Sequence, residues 1–229
     1  MRSWIARWMY VPTRRFRQAR MHAFVDFFRP TRTMRILDVG GTSLNWTLVQ
    51  QDAEVVLLNV VVGEDADSLP PRMQYVVGDG TRLPFAEGEF DICFSNSAIE
   101  HLSTFERQKA FASEMRRVGA GVWVQTPAKS FPLEPHWLGL GIHWLDSRWQ
   151  RRLARNLTLY GLLTRPSQQQ VDALVDEYRL LSFPEMRELF PDCEIRRERF
   201  LGLTKSYVAV RRQDDVRRDR EGGRISGRG

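Results

Sequence analysis

The sequence predicts an α/β fold built on a mainly parallel sheet with helices on both faces. In the first 130 residues, short apolar runs alternate with helical patterns, which is typical of repeated strand–helix–strand units. The chain has 229 residues, of which 42% are hydrophobic and 27% are charged, as expected for a globular domain with a sizeable core. It contains no run of 18 apolar residues, so no membrane-spanning helix is predicted.

Eight segments before residue 127 have a readable helical or strand period. Those with a helical pattern are 14–29, ended by Pro30, 43–51 and 104–118. The predicted strands are 34–39, 54–60, 73–78, 90–96 and 120–126.

Residues 127–182 interrupt this alternation and predict a helical lid inserted after the fifth strand. Within it, Leu145, Trp149, Leu153 and Leu157 recur every four residues and arginines occupy the other faces. The segment 145–160 is therefore a basic amphipathic helix, which suits a lid over the sheet edge or peripheral contact with a membrane surface or anionic partner. A helix at 183–190 follows, and then strands at 193–200 and 206–212 joined as a hairpin.

Charge divides the chain into a basic N-terminal segment, an acidic body and a basic tail. The net charge is +6, with +8 in residues 1–35 and +3 in residues 211–229. We expect residues 1–30 to form a basic helical segment, 31–210 the main domain, and 211–229 a disordered basic tail. A transit peptide is the alternative for the N-terminus. No uniformly basic face is predicted, so no nucleic-acid partner is expected.

Small or hydrogen-bonding residues follow every predicted parallel strand of the first half. Parallel sheets bind ligands beyond the carboxyl ends of their strands, so these residues predict one binding crevice. The candidates are Asp38, Gly40, Gly41, Asn59, Asp79, Gly80, Ser95 and Asn96.

The spacing of these residues favours an adenosine-containing ligand without phosphates. Asn59 lies 21 residues after Asp38, where a side-chain oxygen can accept hydrogen bonds from ribose hydroxyls. The third glycine of a G-x-G-x-x-G loop is missing, and no G-K-[ST] sequence occurs, so neither common pyrophosphate loop is present. S-adenosylmethionine carries ribose, adenine and an amino acid but no phosphate.

Three sequence blocks, "ILDVGGTSLNW", "VVGDGTRLPFAEGEFDICFSNSAIEHL" and "VQTPAKSFPLEPHW", resemble the class I S-adenosylmethionine-dependent methyltransferases. More narrowly, the chain is similar to a bacterial methyltransferase type 11-like branch. The resemblance spans roughly 34–210 and implies a Rossmann-like, doubly wound seven-stranded sheet, mostly parallel with one antiparallel strand. It implies S-adenosyl-L-methionine as the cofactor.

The same resemblance implies a role for each strand-end residue. Asp38, Gly40 and Gly41 would surround the methionine part of the cofactor, and Asn59 would replace the usual acid at the ribose. The other implied contacts are Asp79 and Gly80 at the adenine and Ser95 and Asn96 beside the transferable methyl group.

Two pairs of acid and histidine are candidate catalytic residues. Glu100–His101 follows the fourth strand, and Glu134 and His136 follow the fifth. His136 or His101 would act as a general base for the acceptor, oriented by Glu134 or Glu100. The alternative for Glu100 and His101 is that they hydrogen-bond the following loop in place. No metal site is predicted, because Cys93 and Cys193 form no C-x-x-C pair.

The sequence predicts a cytoplasmic methyltransferase with a small-molecule, glycan or lipid-linked acceptor. A nucleic-acid methyltransferase is an alternative, although the chain has Ser-Asn-Ser-Ala rather than a D/N-P-P-Y/F block after the fourth strand. A non-catalytic cofactor-binding or membrane-surface module is a third. Neither the accepting atom nor the oligomeric state follows from the sequence.

Overall fold

The computed structural model describes residues 3–63, 65–134 and 136–212, and side chains from residue 14 onward. The predicted disordered tail therefore falls almost wholly outside the described residues. Strands in the described part are β1 (Arg35–Val39), β2 (Glu54–Asn59), β3 (Met73–Val77), β4 (Phe90–Asn96), β5 (Gly119–Pro127), β6 (Leu133–Glu134), β7 (Gly139–Leu140), β8 (Glu194–Phe200) and β9 (Leu203–Arg211).

Seven of these strands form one sheet in the order β3-β2-β1-β4-β5-β9-β8. Strands β1 to β5 are mutually parallel, and β9 runs antiparallel to both of its neighbours. The predicted seven-stranded, mostly parallel sheet with one antiparallel strand is thus confirmed. The strand order reverses between β1 and β4, and a doubly wound sheet opens its ligand crevice at this point.

The helices are α1 (Ser3–Phe28), α2 (Ser43–Trp46), α3 (Phe105–Val118), α4 (Ser147–Leu157), α5 (Leu159–Thr164), α6 (Gln168–Glu177) and α7 (Phe183–Leu189). Short 3-10 turns occupy Ala66–Ser68, Ile99–His101 and Ile142–Trp144. Helix α3 has its predicted extent, with the Thr104 side chain capping its first turn.

Four element predictions need correction. The helix predicted at 43–51 ends at Trp46, where the backbone turns and the indole is drawn inward by a hydrogen bond. The helix predicted at 145–160 breaks at Thr158, whose hydroxyl caps α5 instead. The loop predicted at 201–205 is a two-residue turn of Leu201 and Gly202, both with positive φ.

The fourth correction is that residues 127–182 contain a helix and a short hairpin that the hydrophobic period of the sequence did not predict. Helix α6 starts with a capping box in which Ser167 and Gln170 exchange hydrogen bonds, an S-x-x-Q signal present in the sequence. The hairpin of β6 and β7 has only two residues in each strand, which is too short for a period to be visible.

Helix α1 packs on one face of the sheet. Met21 and Phe24 are fully buried, and the Phe24 ring lies 4.9 Å from Phe94 of β4, edge to face. Trp46 and Trp123 complete this aromatic cluster. The opposite face is covered by α3 and α7, so the sheet is buried on both sides.

The segment after β5 has a small core of its own, formed by Trp137, Ile142, Ala154 and Val171. Of the four apolar residues predicted to recur along the helix at 145–160, Leu153 packs against this core. Leu145, Trp149 and Leu157 are 40%, 53% and 61% exposed, so most of the apolar face of α4 is turned to the surface.

Candidate active site

The glycine loop after β1 is tightly enclosed by the loop after β4. Gly40 has φ +77, and a Cβ there would lie 2.5 Å from the Cβ of Ala98. A side chain at this position would therefore be strained and would collide with the neighbouring loop. The structure thus brings the two predicted loops together at the switch point of the sheet.

Asp38 lies beneath this loop rather than in the crevice, because its side chain is fully buried. Its Oδ2 accepts a hydrogen bond from Trp46 Nε1 at 2.9 Å, and its Oδ1 has no partner among the described residues. A Cβ on Gly41 would lie 2.0 Å from the Asp38 carboxylate, so the loop rests directly on it. Burial raises the pKa of Asp38 to about 7, although the Trp46 hydrogen bond opposes this shift.

Asn59 stands at the end of β2, beside the glycine loop as predicted. Its Oδ1 accepts a hydrogen bond from the backbone N–H of Val60 at 2.9 Å, and its Nδ2 lies 3.5 Å from the carbonyl oxygen of Gly41. Asn59 therefore ties the loop after β2 to the loop after β1.

Asp65 is a residue near this loop that sequence reasoning missed. Its carboxylate accepts hydrogen bonds from the Ser43 hydroxyl and, at 2.7 Å, from Tyr75. The bond from Ser43 is the main cause of a lowered pKa at Asp65. The contact spans 22 residues, and no local pattern marks it.

Asp79 is exposed just after β3, and only one of its two carboxylate oxygens accepts hydrogen bonds within the described residues. Oδ1 accepts hydrogen bonds from the backbone N–H and hydroxyl of Thr81, both at 2.8 Å, while Oδ2 lies 3.6 Å from Arg107. The backbone hydrogen bond from Thr81 lowers the pKa of Asp79. Gly80 permits close packing, since a Cβ there would lie 2.8 Å from Val39.

Ser95 and Asn96 end β4 with different roles. The buried Ser95 hydroxyl donates to the carbonyl oxygen of Val39 at 2.9 Å and so joins β4 to β1. Asn96 accepts a hydrogen bond from Arg20 of α1, which also pairs with Glu198 at 2.8 Å. Arg20 is 8% exposed and was missed, because one arginine among nine in a basic segment carries no distinguishing signal.

The four predicted catalytic residues meet in one cluster beyond β4 and β5. The rings of His101 and His136 are 5.5 Å apart and edge to face. His136 Nδ1 lies 2.6 Å from Glu134 Oε1, so this predicted pair forms.

The carboxylate that pairs with His101 is neither Glu100 nor Glu134. His101 Nδ1 lies 3.1 Å from Glu177, which α6 brings across the cluster. Tyr178, the next residue, stacks on His136 at 3.9 Å and contacts His101 edge to face at 4.7 Å. Sequence reasoning missed both Glu177 and Tyr178 because α6 itself was not predicted.

Glu100 is completely buried and points into the same cluster of groups. Its Oε2 accepts a hydrogen bond from Thr126 at 3.0 Å, and within the described residues its Oε1 has no partner. Burial raises the pKa of Glu100 despite the nearby histidines. At His136, burial acts to lower the pKa, but the hydrogen bond and charge of Glu134 outweigh it, and the pKa is raised.

A pocket of about 270 Å³ adjoins the cluster on the side of the segment after β5. Glu134 and Tyr178 line both the pocket and the cluster, and three aromatic or apolar side chains, Trp137, Trp144 and Leu145, form much of the wall. Residues of the predicted lid segment, 127–182, therefore line a space beside the four candidate catalytic residues.

Residues 37–120 match the family described as "Methyltransferase domain". This segment runs from β1 into β5 and contains the glycine loop, Asn59, Asp79 and Glu100. The match covers 84 of the 229 residues and is a similarity to that family over this segment.

One similar sequence is the ubiquinone/menaquinone biosynthesis C-methyltransferase UbiE of Dinoroseobacter shibae, 29% identical over 114 residues. The alignment covers 44% of this chain and spans less than half of that relative, 46% of its length.

Two solved structures share the fold at low identity. Magnesium protoporphyrin IX methyltransferase from Synechocystis, solved with bound SAH, has a TM-score of 0.57 and 13% identity, covering 92% of this chain and 89% of its own. The putative methyltransferase solved with the Haloferax volcanii Trm112 activator has a TM-score of 0.55 and 13% identity, covering 91% and 93%.

Proposed function

We propose that this protein transfers a methyl group from S-adenosyl-L-methionine to a small-molecule, glycan or lipid-linked acceptor. The observation that carries the proposal is the Gly40–Gly41 turn at the switch point of the sheet, where a Cβ at either glycine would collide with its surroundings. Such a turn lets backbone approach a ligand closely, and it lacks the later glycine of a pyrophosphate loop.

The proposed cofactor contacts follow from where the strand ends lie. Asn59 and Asp79 stand at the ends of adjacent strands, which suits a ribose and an adenine bound side by side. The Oδ2 of Asp79, which makes no hydrogen bond within the described residues but lies 3.6 Å from Arg107, can accept a hydrogen bond from the adenine amine. Asp38 acts from beneath the loop, and Asn96 stands at the end of β4, held by Arg20.

The proposed reaction is a direct displacement on the methyl carbon. The carbon–sulfur bond of the sulfonium breaks as the bond to the acceptor atom forms, leaving S-adenosylhomocysteine and releasing the acceptor's proton. The protein's contribution is alignment and exclusion of water. We place the acceptor atom near Glu100, His101, Glu134 and His136, with the 270 Å³ pocket receiving the rest of the molecule.

Binding of the cofactor is the decisive experiment. Calorimetric titration with S-adenosylmethionine is expected to give one site per chain, weakened at least tenfold by Asp79→Ala. Asp67→Ala is the matched control, because Asp67 is an exposed acid on the preceding loop. No binding by the folded wild-type protein, or equal binding by the Asp79 variant, would argue against the proposal.

The surface of α4 and α5 favours an acceptor held at a membrane. Besides Trp149 and Leu157, the side chains of Leu159, Leu162 and Leu163 are about half exposed. Arg148, Arg152 and Arg155 form one row along α4, at spacings of four and three residues, and none belongs to an ion pair of the described chain. Apolar side chains flanked by unpaired arginines suit the interface of an anionic bilayer. No helix in the described part is long and apolar enough to cross a membrane.

Vesicle flotation tests this surface. The protein is expected to float with phosphatidylglycerol-containing vesicles and much less with pure phosphatidylcholine. Trp149→Ser with Leu157→Ser should abolish flotation, whereas Leu201→Ser, an exposed leucine on the β8–β9 turn, should not. Failure to float, with cofactor binding intact, would leave a small-molecule or glycan acceptor. A cytoplasmic location stays a prediction.

A further inference from the structure

We propose that Glu100, His101 and His136 form a binding site for one divalent transition-metal ion. The carboxylate of Glu100 and one ring nitrogen from each histidine lie within 4.8 Å of one another. Two of these residues follow β4 and the third follows β6, so the set is assembled only in the folded chain. The cysteine spacing predicted no metal site, because the donors here are one glutamate and two histidines from separate parts of the sequence.

Both imidazoles are oriented as metal ligands usually are. His136 Nδ1 pairs with Glu134 at 2.6 Å, and His101 Nδ1 pairs with Glu177 at 3.1 Å. A carboxylate that accepts from Nδ1–H fixes the tautomer and leaves the Nε2 lone pair free for a metal ion. Because the two rings have separate carboxylate partners, neither Nε2 is needed to hold its ring in place.

The state of the Glu100 carboxylate supports a metal site independently of the two histidines. Its side chain is fully buried, yet Oε1 has no hydrogen-bond partner among the described residues. A buried polar atom without a partner costs free energy, and a bound cation would remove that cost. Thr126 holds the other oxygen at 3.0 Å and thereby orients the carboxylate. Tyr178 packs on both rings and shields the site from one side.

Two imidazoles and one carboxylate select the class of ion. This donor set suits Zn²⁺, Fe²⁺, Co²⁺ or Ni²⁺, whereas Mg²⁺ and Ca²⁺ prefer sites made of oxygen ligands. Three protein ligands leave coordination positions open, as in metal sites that bind a water molecule or substrate oxygen. Glu134 and Tyr178, which contact the two histidine rings, also line the 270 Å³ pocket. An acceptor hydroxyl that reached the metal ion would lose its proton more readily.

Direct metal binding tests the proposal without any need for methyl transfer. Protein stripped with a chelator and titrated with Co²⁺ is expected to bind one equivalent per chain and to show visible absorption of low-symmetry cobalt. His101→Ala and His136→Ala should each lose that band. His22→Ala is the matched control, because His22 is exposed on α1. Circular dichroism establishes that each variant is folded.

Two further variants separate a metal site from a hydrogen-bonded cluster. Glu134→Gln and Glu177→Gln keep all three metal ligands but replace the carboxylate that accepts from a histidine Nδ1–H by a neutral amide. Each should reduce metal affinity about 10- to 100-fold. The proposal is overturned if the folded wild-type protein binds less than a tenth of an equivalent, or if the His101 and His136 variants bind as well as wild type. Parallel titration with S-adenosylmethionine keeps the two proposals distinguishable, since either ligand can bind without the other.

Discussion

Replacing Gly41 by alanine tests whether the glycine loop rests on Asp38. The added Cβ would lie 2.0 Å from Oδ2, 2.1 Å from Cγ and 2.3 Å from Oδ1 of the Asp38 carboxylate. Carbon and oxygen atoms in contact are normally separated by more than about 3 Å, so the carboxylate or the loop must shift by about 1 Å. Asp38 is enclosed on all sides and has little room to move.

The expected cost follows from the two interactions that such a shift disrupts. Losing the 2.9 Å hydrogen bond from Trp46 leaves buried polar atoms without partners, at about 1–3 kcal/mol. Overpacking of a closed site adds about 1–3 kcal/mol. We therefore expect Gly41→Ala to lower the free energy of unfolding by about 2–6 kcal/mol. We also expect it to weaken cofactor binding at least tenfold, about 1.4 kcal/mol.

Urea unfolding without ligand and calorimetric titration with S-adenosylmethionine measure these two effects separately. Gly88→Ala is the control, because Gly88 has φ +66 but no atom within 4 Å of its added Cβ. That variant should be destabilised only by the backbone strain of a non-glycine residue at positive φ, about 1–2 kcal/mol. It should bind the cofactor like wild type. If Gly41→Ala is as stable as the Gly88 variant and binds the cofactor like wild type, the described contact between loop and carboxylate is wrong.

The other predictions concern charge and capping. Because burial raises the pKa of Asp38 from 3.8 to about 7, the folded chain keeps a proton that the unfolded chain releases. The free energy of unfolding should therefore fall as the pH rises from about 4 to 7. Asp38→Asn does not titrate at this position, so in urea titrations across that range its free energy of unfolding relative to wild type should rise by up to about 4 kcal/mol. Arg20→Met removes the cationic partner of Glu198, which keeps only the hydrogen bond from Ser206, and should destabilise by about 2–3 kcal/mol. The cost is less than for a fully buried pair because the Glu198 side chain is 30% exposed. Adding Glu198→Gln should restore part of that loss, and no recovery in thermal melts would contradict the pairing. Ser182→Ala removes the capping box of α7 and should cost about 1 kcal/mol, against no change for the exposed Ser103→Ala.

Much of the sheet and crevice was predictable because their signals are local. An apolar run followed by a polar strand end marks each of β1 to β5, and parallel strands place their carboxyl ends at one edge. Gly40, Asn59 and Asp79 could therefore be assigned to one crevice before any contact was known. The helix predicted at 43–51 was wrong because its fourth residue, Trp46, is held by a tertiary hydrogen bond that the local pattern does not contain.

The candidate catalytic residues show which features follow from the sequence and which require the tertiary structure. The sequence by itself determined that Glu100, His101 and His136 follow neighbouring strands, because residue order and strand period are local properties. Only the tertiary structure decided that Glu177 rather than Glu100 partners His101, and that Arg20 reaches Asn96 from 76 residues away. It also decided that the apolar face of α4 points outward, since amphipathic spacing specifies that a face exists but not which surface covers it.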